Sequence, residues 1–214
     1  MNTLHDATAT KILLYIADPM CSWCWGFSSV METVRQQYQD QMPIELLVGG
    51  LRPGNTERFD EHRRDYVLAH WRAVHQRTKQ LFNFEFQMDP DFTYDTEPAS
   101  RAVVVVRTLN PTKVFPYFRA IQHAFYVEKH DVTKEGVLKN LAETHGIAPS
   151  LFSESFHNSE MRRKVWQEFD RCRQLGISGF PSLLAMDEDT PTVLAHGYLP
   201  KEELIPNIDE WLKK

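Results

Sequence analysis

A continuously apolar run, Ile12 to Ala17, stops at Asp18-Pro19, and two cysteines three positions apart, Cys21 and Cys24, follow at once. From Cys21 onward the apolar positions become Phe27, Val30, Met31, Val34 and Tyr38, spaced at three and four residues. The first pattern, Lys11 to Ala17, reads as a buried strand closed by a proline turn, and the second as an amphipathic helix. A chain that changes period at a Cys-x-x-Cys must fold with a strand–turn–helix unit that presents thiols at the helix start. Pro43 restarts the chain, and Ile44 to Val48 reads as a second strand running into Gly49-Gly50, which completes a β-α-β opening.

Between about residues 56 and 176 the pattern is helical. Tyr66, Ala69, Ala73 and Leu81 suggest one amphipathic face. Thr96 is placed to cap a helix starting at Glu97-Pro98, with Ala99, Ala102, Val103 and Val106 on one side and a stop before Asn110-Pro111. Val114, Phe118, Ile121 and Phe125 mark another helix. Thr133 opens one that ends at Gly146, and Asn158 opens the last, with Met161, Val165, Phe169 and Cys172 inward. Strand signals return at Ser182 to Met186 and Thr192 to His196, separated by a turn at Asp187 to Thr190. Leu204, Ile205, Ile208, Trp211 and Leu212 then share one helical face. The predicted layout is β-α-β, a helical insertion, then β-β-α.

The two thiols of Cys21-Ser22-Trp23-Cys24 lie one helical turn apart, near enough to open and close a disulfide. Unpartnered N–H groups and the positive end of the helix dipole favour a thiolate on the first cysteine. Cys21 is therefore expected to attack, and Cys24, one turn inside, to resolve the mixed disulfide. A structural zinc site would need two further ligands, and Cys172 sits far along the chain on an apolar helical face. No metal is expected, and Cys172 reads as a buried thiol rather than a third redox partner. His62, His70 and His75 lack metalloprotease spacing and read as surface residues.

Bulk composition excludes several classes. With 42% hydrophobic, 25% charged and 12% aromatic residues over 214 positions, the chain has the profile of a globular protein with a substantial core. A net charge of −5 and a pI near 6.0 provide no basic face for nucleic acid. The longest apolar stretches, Ile12 to Ala17 and Ala102 to Val106, are too short to span a bilayer, so no membrane partner is expected. Met1 to Lys11 is polar and contains Asp6, without the pattern of a secretory signal, and the expected location is the cytoplasm. Three cysteines do not form an even disulfide framework.

The segment Gly176-Ile177-Ser178-Gly179-Phe180-Pro181-Ser182-Leu183-Leu184 places a proline just before a strand. Together with the strand–CxxC–helix unit it resembles the thioredoxin superfamily, whose proline beside the dithiol is cis. Gly197 and the helix from Lys201 to Leu212 resemble the end of the same domain. The helical insertion makes the DsbA-like branch the nearest likeness, including its cytoplasmic FrnE-like relatives, described as protein disulfide isomerases. Asp18-Pro19-Met20-Cys21-Ser22-Trp23-Cys24-Trp25 is similar to the FrnE-like D-x-x-C-P-W-C-Y pattern, with Ser22 in place of proline. The fold this implies is α/β: a thioredoxin-like domain from residues 1–55 and 176–214, with residues 56–175 as an inserted helical subdomain. Many relatives keep a buried acid six positions before the first cysteine, where this chain has Tyr15; Asp18 could substitute, or could simply make the turn with Pro19.

The resemblance implies a thiol–disulfide oxidoreductase, a protein disulfide reductase or isomerase, with Cys21 and Cys24 catalytic and Trp23, Phe180 and Pro181 binding substrate. Trp23 is expected to be exposed. The main chain at Phe180 is expected to pair with an extended substrate. Partners would be protein or peptide thiols and disulfides; no tightly bound cofactor is implied, and glutathione could serve as reductant or substrate. Two alternatives stand beside this reading. Kappa-class glutathione transferases and 2-hydroxychromene-2-carboxylate isomerases have a similar helical insertion, but usually carry serine where this chain has Cys21. A peptide-binding chaperone would use the same groove without needing either thiol.

Overall fold

The computed structural model describes residues 11–86, 89, 91–188 and 190–214. The predicted polar N-terminal stretch, up to residue 10, and Asp189 of the predicted turn lie outside the described residues. The chain opens with β1 (Ile12–Ala17), α1 (Ser22–Tyr38) and β2 (Ile44–Val48). Helices α2 (Glu61–Thr78), α3 (Glu97–Leu109), α4 (Val114–Tyr126), α5 (Glu135–Thr144), α6 (Pro149–His157) and α7 (Ser159–Gln174) follow, and β3 (Ser182–Asp187), β4 (Thr190–His196) and α8 (Lys201–Leu212) close it. The sheet runs in the order β2-β1-β3-β4, with β1 parallel to β2 and both other pairings antiparallel. This is the α/β thioredoxin-like layout expected from the sequence.

Strand alternation sorts side chains onto two faces of the sheet. Leu13, Tyr15 and Ala17 face the main core, with Leu183 and Ala185 beside them, whereas Leu14 and Ile16 face a smaller cluster with Cys172, Ile177 and Leu184. The main core continues without a break from α1 through α3 to α4, so the helical block and the sheet bury one another. Arg107 of α3 strengthens the joint by donating to the Leu46 carbonyl and pairing with Glu168 of α7, which accepts the Val48 amide at 3.0 Å.

Three helical expectations change. In α2 the buried side chains are Val67, Leu68, Trp71 and Val74; Tyr66 is 56% exposed, and Leu81, 63% exposed, lies past the helix end. Both stripes satisfy the helical period, but the alanines of the predicted stripe carry little area. Trp71 packs against Phe86 and Tyr126, ring centroids 4.6 and 4.9 Å away, and its large apolar surface sets the orientation. Gly26 lets α2 approach α1, since a Cβ there would meet Val74 Cγ1 at 2.6 Å. At α3 the Thr96 side chain makes no cap bond; Asp95 Oδ1 accepts the Glu97 amide at 2.9 Å, and Thr96 Oγ1 accepts the Arg52 amide at 3.1 Å. Helix α6 was not foreseen, although Pro149 at its start and the buried pair Phe152 and Phe156 are its signature.

Candidate active site

Helix α1 begins immediately after Cys21, whose extended backbone (φ −90°, ψ 118°) makes it the N-cap residue. Its carbonyl receives the Trp25 amide at 3.1 Å, so it closes the first helical turn. Cys24 lies within that turn, and the two cysteines come within 3.6 Å of one another. Both are free. Cys24 is fully buried, whereas Cys21 keeps 6% exposure.

The chain returns to this point 159 residues later: Cys21 Sγ donates to the Phe180 carbonyl at 3.5 Å. The Phe180–Pro181 bond is cis. Gly197 fastens the loop by donating its amide to the Pro181 carbonyl at 2.7 Å, and Ser182 Oγ donates to the Gly179 carbonyl at 2.9 Å. The Phe180 ring lies against Gly49 at the end of β2, where any Cβ would stand 2.1 Å from Cε1 of the ring. Glycine is needed there for space. Phe180 is half-buried, and Pro181 is buried beneath it.

Trp23 is half-buried rather than fully exposed, 6.3 Å from the Tyr198 ring, and it lines a cleft of about 160 Å³ over Cys21. The opposite wall comes from the helical block: Tyr66 and His70 of α2, with Leu51 and Arg52 from the loop after β2. Leu51, 40% exposed, and Tyr66 offer apolar contact, and Arg52 brings a cation over Tyr94 at 5.4 Å. These four residues were missed from sequence. For His70, expected at the surface, nothing local in the sequence shows that α2 turns one edge toward the thiols. Trp25 does not join the cleft; it is buried, and its Nε1 donates to the Leu81 carbonyl at 2.8 Å.

Asp18 answers the question its position raised by making the turn and by lying buried beside the dithiol. Oδ1 accepts the Met20 amide at 2.8 Å and Oδ2 the Leu51 amide at 2.7 Å. Burial lifts its pKa to about 6, because desolvation outweighs the two amides. Cys24 is held well above the ordinary thiol range, first by burial, then by its hydrogen bond with Cys21 and that thiol's charge, while the Asp18 backbone opposes the shift. Tyr15, at the position where relatives hold an acid, is a neutral phenol pushed far up by burial and then by the charges of Cys24 and Cys21. Tyr94 donates to the Met20 carbonyl at 2.7 Å and so holds the residue before Cys21. Cys172 sits on the other face of the sheet; its thiol points to the Val48 carbonyl at 3.6 Å, and burial pushes its pKa up to about 12, with the Glu168 charge adding to the shift.

Residues 13–200 match the model of the DSBA-like thioredoxin domain. Among solved structures, the chain is similar to a Nitrosomonas europaea protein proposed to be a protein disulfide isomerase, at 42% identity over 95% of this chain and 98% of that one, with a TM-score of 0.89. It also shares its fold with the cytosolic disulfide reductase DsbM from Pseudomonas aeruginosa, at 22% identity over 94% and 98% of the two chains, TM-score 0.77; a second DsbM structure was solved with GSH. The ClpXP adapter protein SpxH of Halalkalibacterium halodurans is 21% identical over 92% of this chain and 71% of its own length. The chain belongs to the DSBA-like thioredoxin domain family, and its class is that of a thiol–disulfide oxidoreductase.

Proposed function

We propose that this chain is a cytoplasmic protein disulfide reductase or isomerase in which Cys21 attacks substrate and Cys24 resolves. The observation that carries the reading is the asymmetry of the pair. Cys21 stands at the helix start under an open cleft with its sulfur on the Phe180 carbonyl, while Cys24 is sealed behind it. The Cys21 thiolate attacks one sulfur of a substrate disulfide, that S–S bond breaks, and the distal sulfur leaves as a thiolate. Cys24 then gives up its proton and attacks Cys21, releasing the second substrate thiol and leaving a Cys21–Cys24 disulfide. Two electrons have passed to substrate. Asp18, ionised above about pH 6 and buried beside Cys24, is the base for that proton.

Trp23 forms the near wall of the cleft, and Tyr66, Leu51 and Arg52 the far wall. The Phe180–Pro181 loop, outside the cleft lining, adjoins it through the Cys21 thiol on the Phe180 carbonyl and offers its main chain to substrate. Glutathione suits the reductant: two molecules restore the dithiol and leave as one glutathione disulfide, and the Arg52 guanidinium offers its carboxylates a partner. The DsbM structure with GSH and the cytosolic location of that reductase support both the reductant and the compartment.

An insulin-reduction assay run beside a glutathione-conjugation assay on one sample tests this function. Reduction of insulin by dithiol turnover is expected. Conjugation alone would replace this reading with that of a kappa-class-like transferase, and prevention of aggregation by a variant lacking both thiols would favour a chaperone.

A further inference from the structure

A second cavity, of about 490 Å³, opens between α1 and α4 and shares no lining residue with the cleft over Cys21. Met31, Phe115 and Phe118 give it apolar walls. Two polar groups set it apart from a packing defect. Gln122 is fully buried, and neither its amide oxygen nor its amide nitrogen has a hydrogen-bond partner among the described residues. A buried amide left unpaired opposes folding, so Gln122 brings to the cavity wall a donor and an acceptor that a bound molecule can satisfy. Arg119 holds its guanidinium 5.7 Å from the Trp25 ring at the same cavity. The lining's one carboxylate, Glu32, is engaged by Arg35 at 3.1 Å and by Gln36 at 3.0 Å, which leaves Arg119 without a carboxylate partner among the described residues.

We propose that this cavity binds a small N-acylated amino acid, with its carboxylate on Arg119, its amide on Gln122 and its apolar side chain between Met31, Phe115 and Phe118. The chemistry selects this class. A carboxylate alone would satisfy only the Gln122 nitrogen and repel its oxygen, whereas a secondary amide presents a donor and an acceptor together. Arg119, at the cavity lining and without a carboxylate partner among the described residues, offers a charged donor that suits a carboxylate on the same molecule. The volume is that of a small-molecule site. No thiol takes part, so this site stands or falls apart from the chemistry of Cys21.

The test is calorimetric titration of the full chain, with Cys21 blocked by iodoacetamide, using N-acetyl-L-phenylalanine and the neutral N-acetyl-L-phenylalaninamide. The acid is expected to bind saturably with one site per chain, and the neutral amide about tenfold more weakly. Gln122→Leu and Arg119→Met should each weaken the acid by about tenfold or more, and the unblocked variants should reduce insulin as the parent does. Should Gln122→Leu fail to fold, Arg119→Met, a change at an exposed position, carries the test. No saturable binding of the acid, equal affinity for the two probes, or full affinity in a folded variant overturns the proposal.

Discussion

The carboxylate of Asp18 holds the amide of Leu51 at 2.7 Å across 33 residues, so the turn that delivers Cys21 is tied to the loop that forms the far wall of its cleft. The same carboxylate has a pKa raised to about 6 by burial. Because the folded state binds this proton more tightly than the unfolded chain does, the Asp18 contribution to stability is fully present below its unfolded pKa. It is lost as pH rises to about 6 and stays constant above.

Resolution of the mixed disulfide should therefore accelerate as pH rises through about 6, as Asp18 ionises and becomes able to take the Cys24 proton. Stopped-flow release of substrate from a preformed Cys21 mixed disulfide reads this rate. Asp18→Asn should abolish the inflection and slow the step by about 10²-fold at neutral pH, within the usual range for loss of a general base. An inflection that survives in the variant would remove Asp18 from the proton path.

The unequal burial of the two thiols predicts an unequal outcome of their removal. Cys24→Ser should accumulate a covalent adduct with substrate that non-reducing electrophoresis detects, and Cys21→Ser should accumulate none. Equal trapping by both variants would reject the division of labour.

Alkylation with iodoacetamide at neutral pH should modify Cys21 well before Cys172 in the folded, reduced protein, as read by peptide mass mapping. Cys172 is buried on the opposite face of the sheet, and its thiol, pushed up to about 12, is almost wholly protonated there. Early labelling of Cys172 would mean that this face opens.

Gly49→Ala probes the support of the Phe180 loop. The new methyl would stand 2.1 Å from the ring, so the ring must move, at a cost of about 1–3 kcal/mol in urea unfolding. Because the Phe180 carbonyl receives the Cys21 thiol, insulin reduction should fall as well. A variant with parental stability and turnover would show that the loop yields freely.

Much of this protein was legible in its sequence where one local pattern has one physical solution. The apolar run 12–17, the change of period at Cys21 and the proline before Ser182 specified the strands, the helix α1 and the placing of a dithiol at a helix start, because hydrophobic periodicity and chain punctuation act over a few residues. Only tertiary structure decided which of two possible stripes α2 buries, since the area of Trp71 counts only once Phe86 and Tyr126 are there to cover it. It also decided that Asp18 both makes the turn and lies buried beside Cys24, that Tyr66 and Arg52 face the thiols, and that Gln122 is enclosed without a partner. The desolvation that raises a pKa and the cleft that admits a substrate both arise between segments far apart in the chain, and no local spacing of residues encodes them.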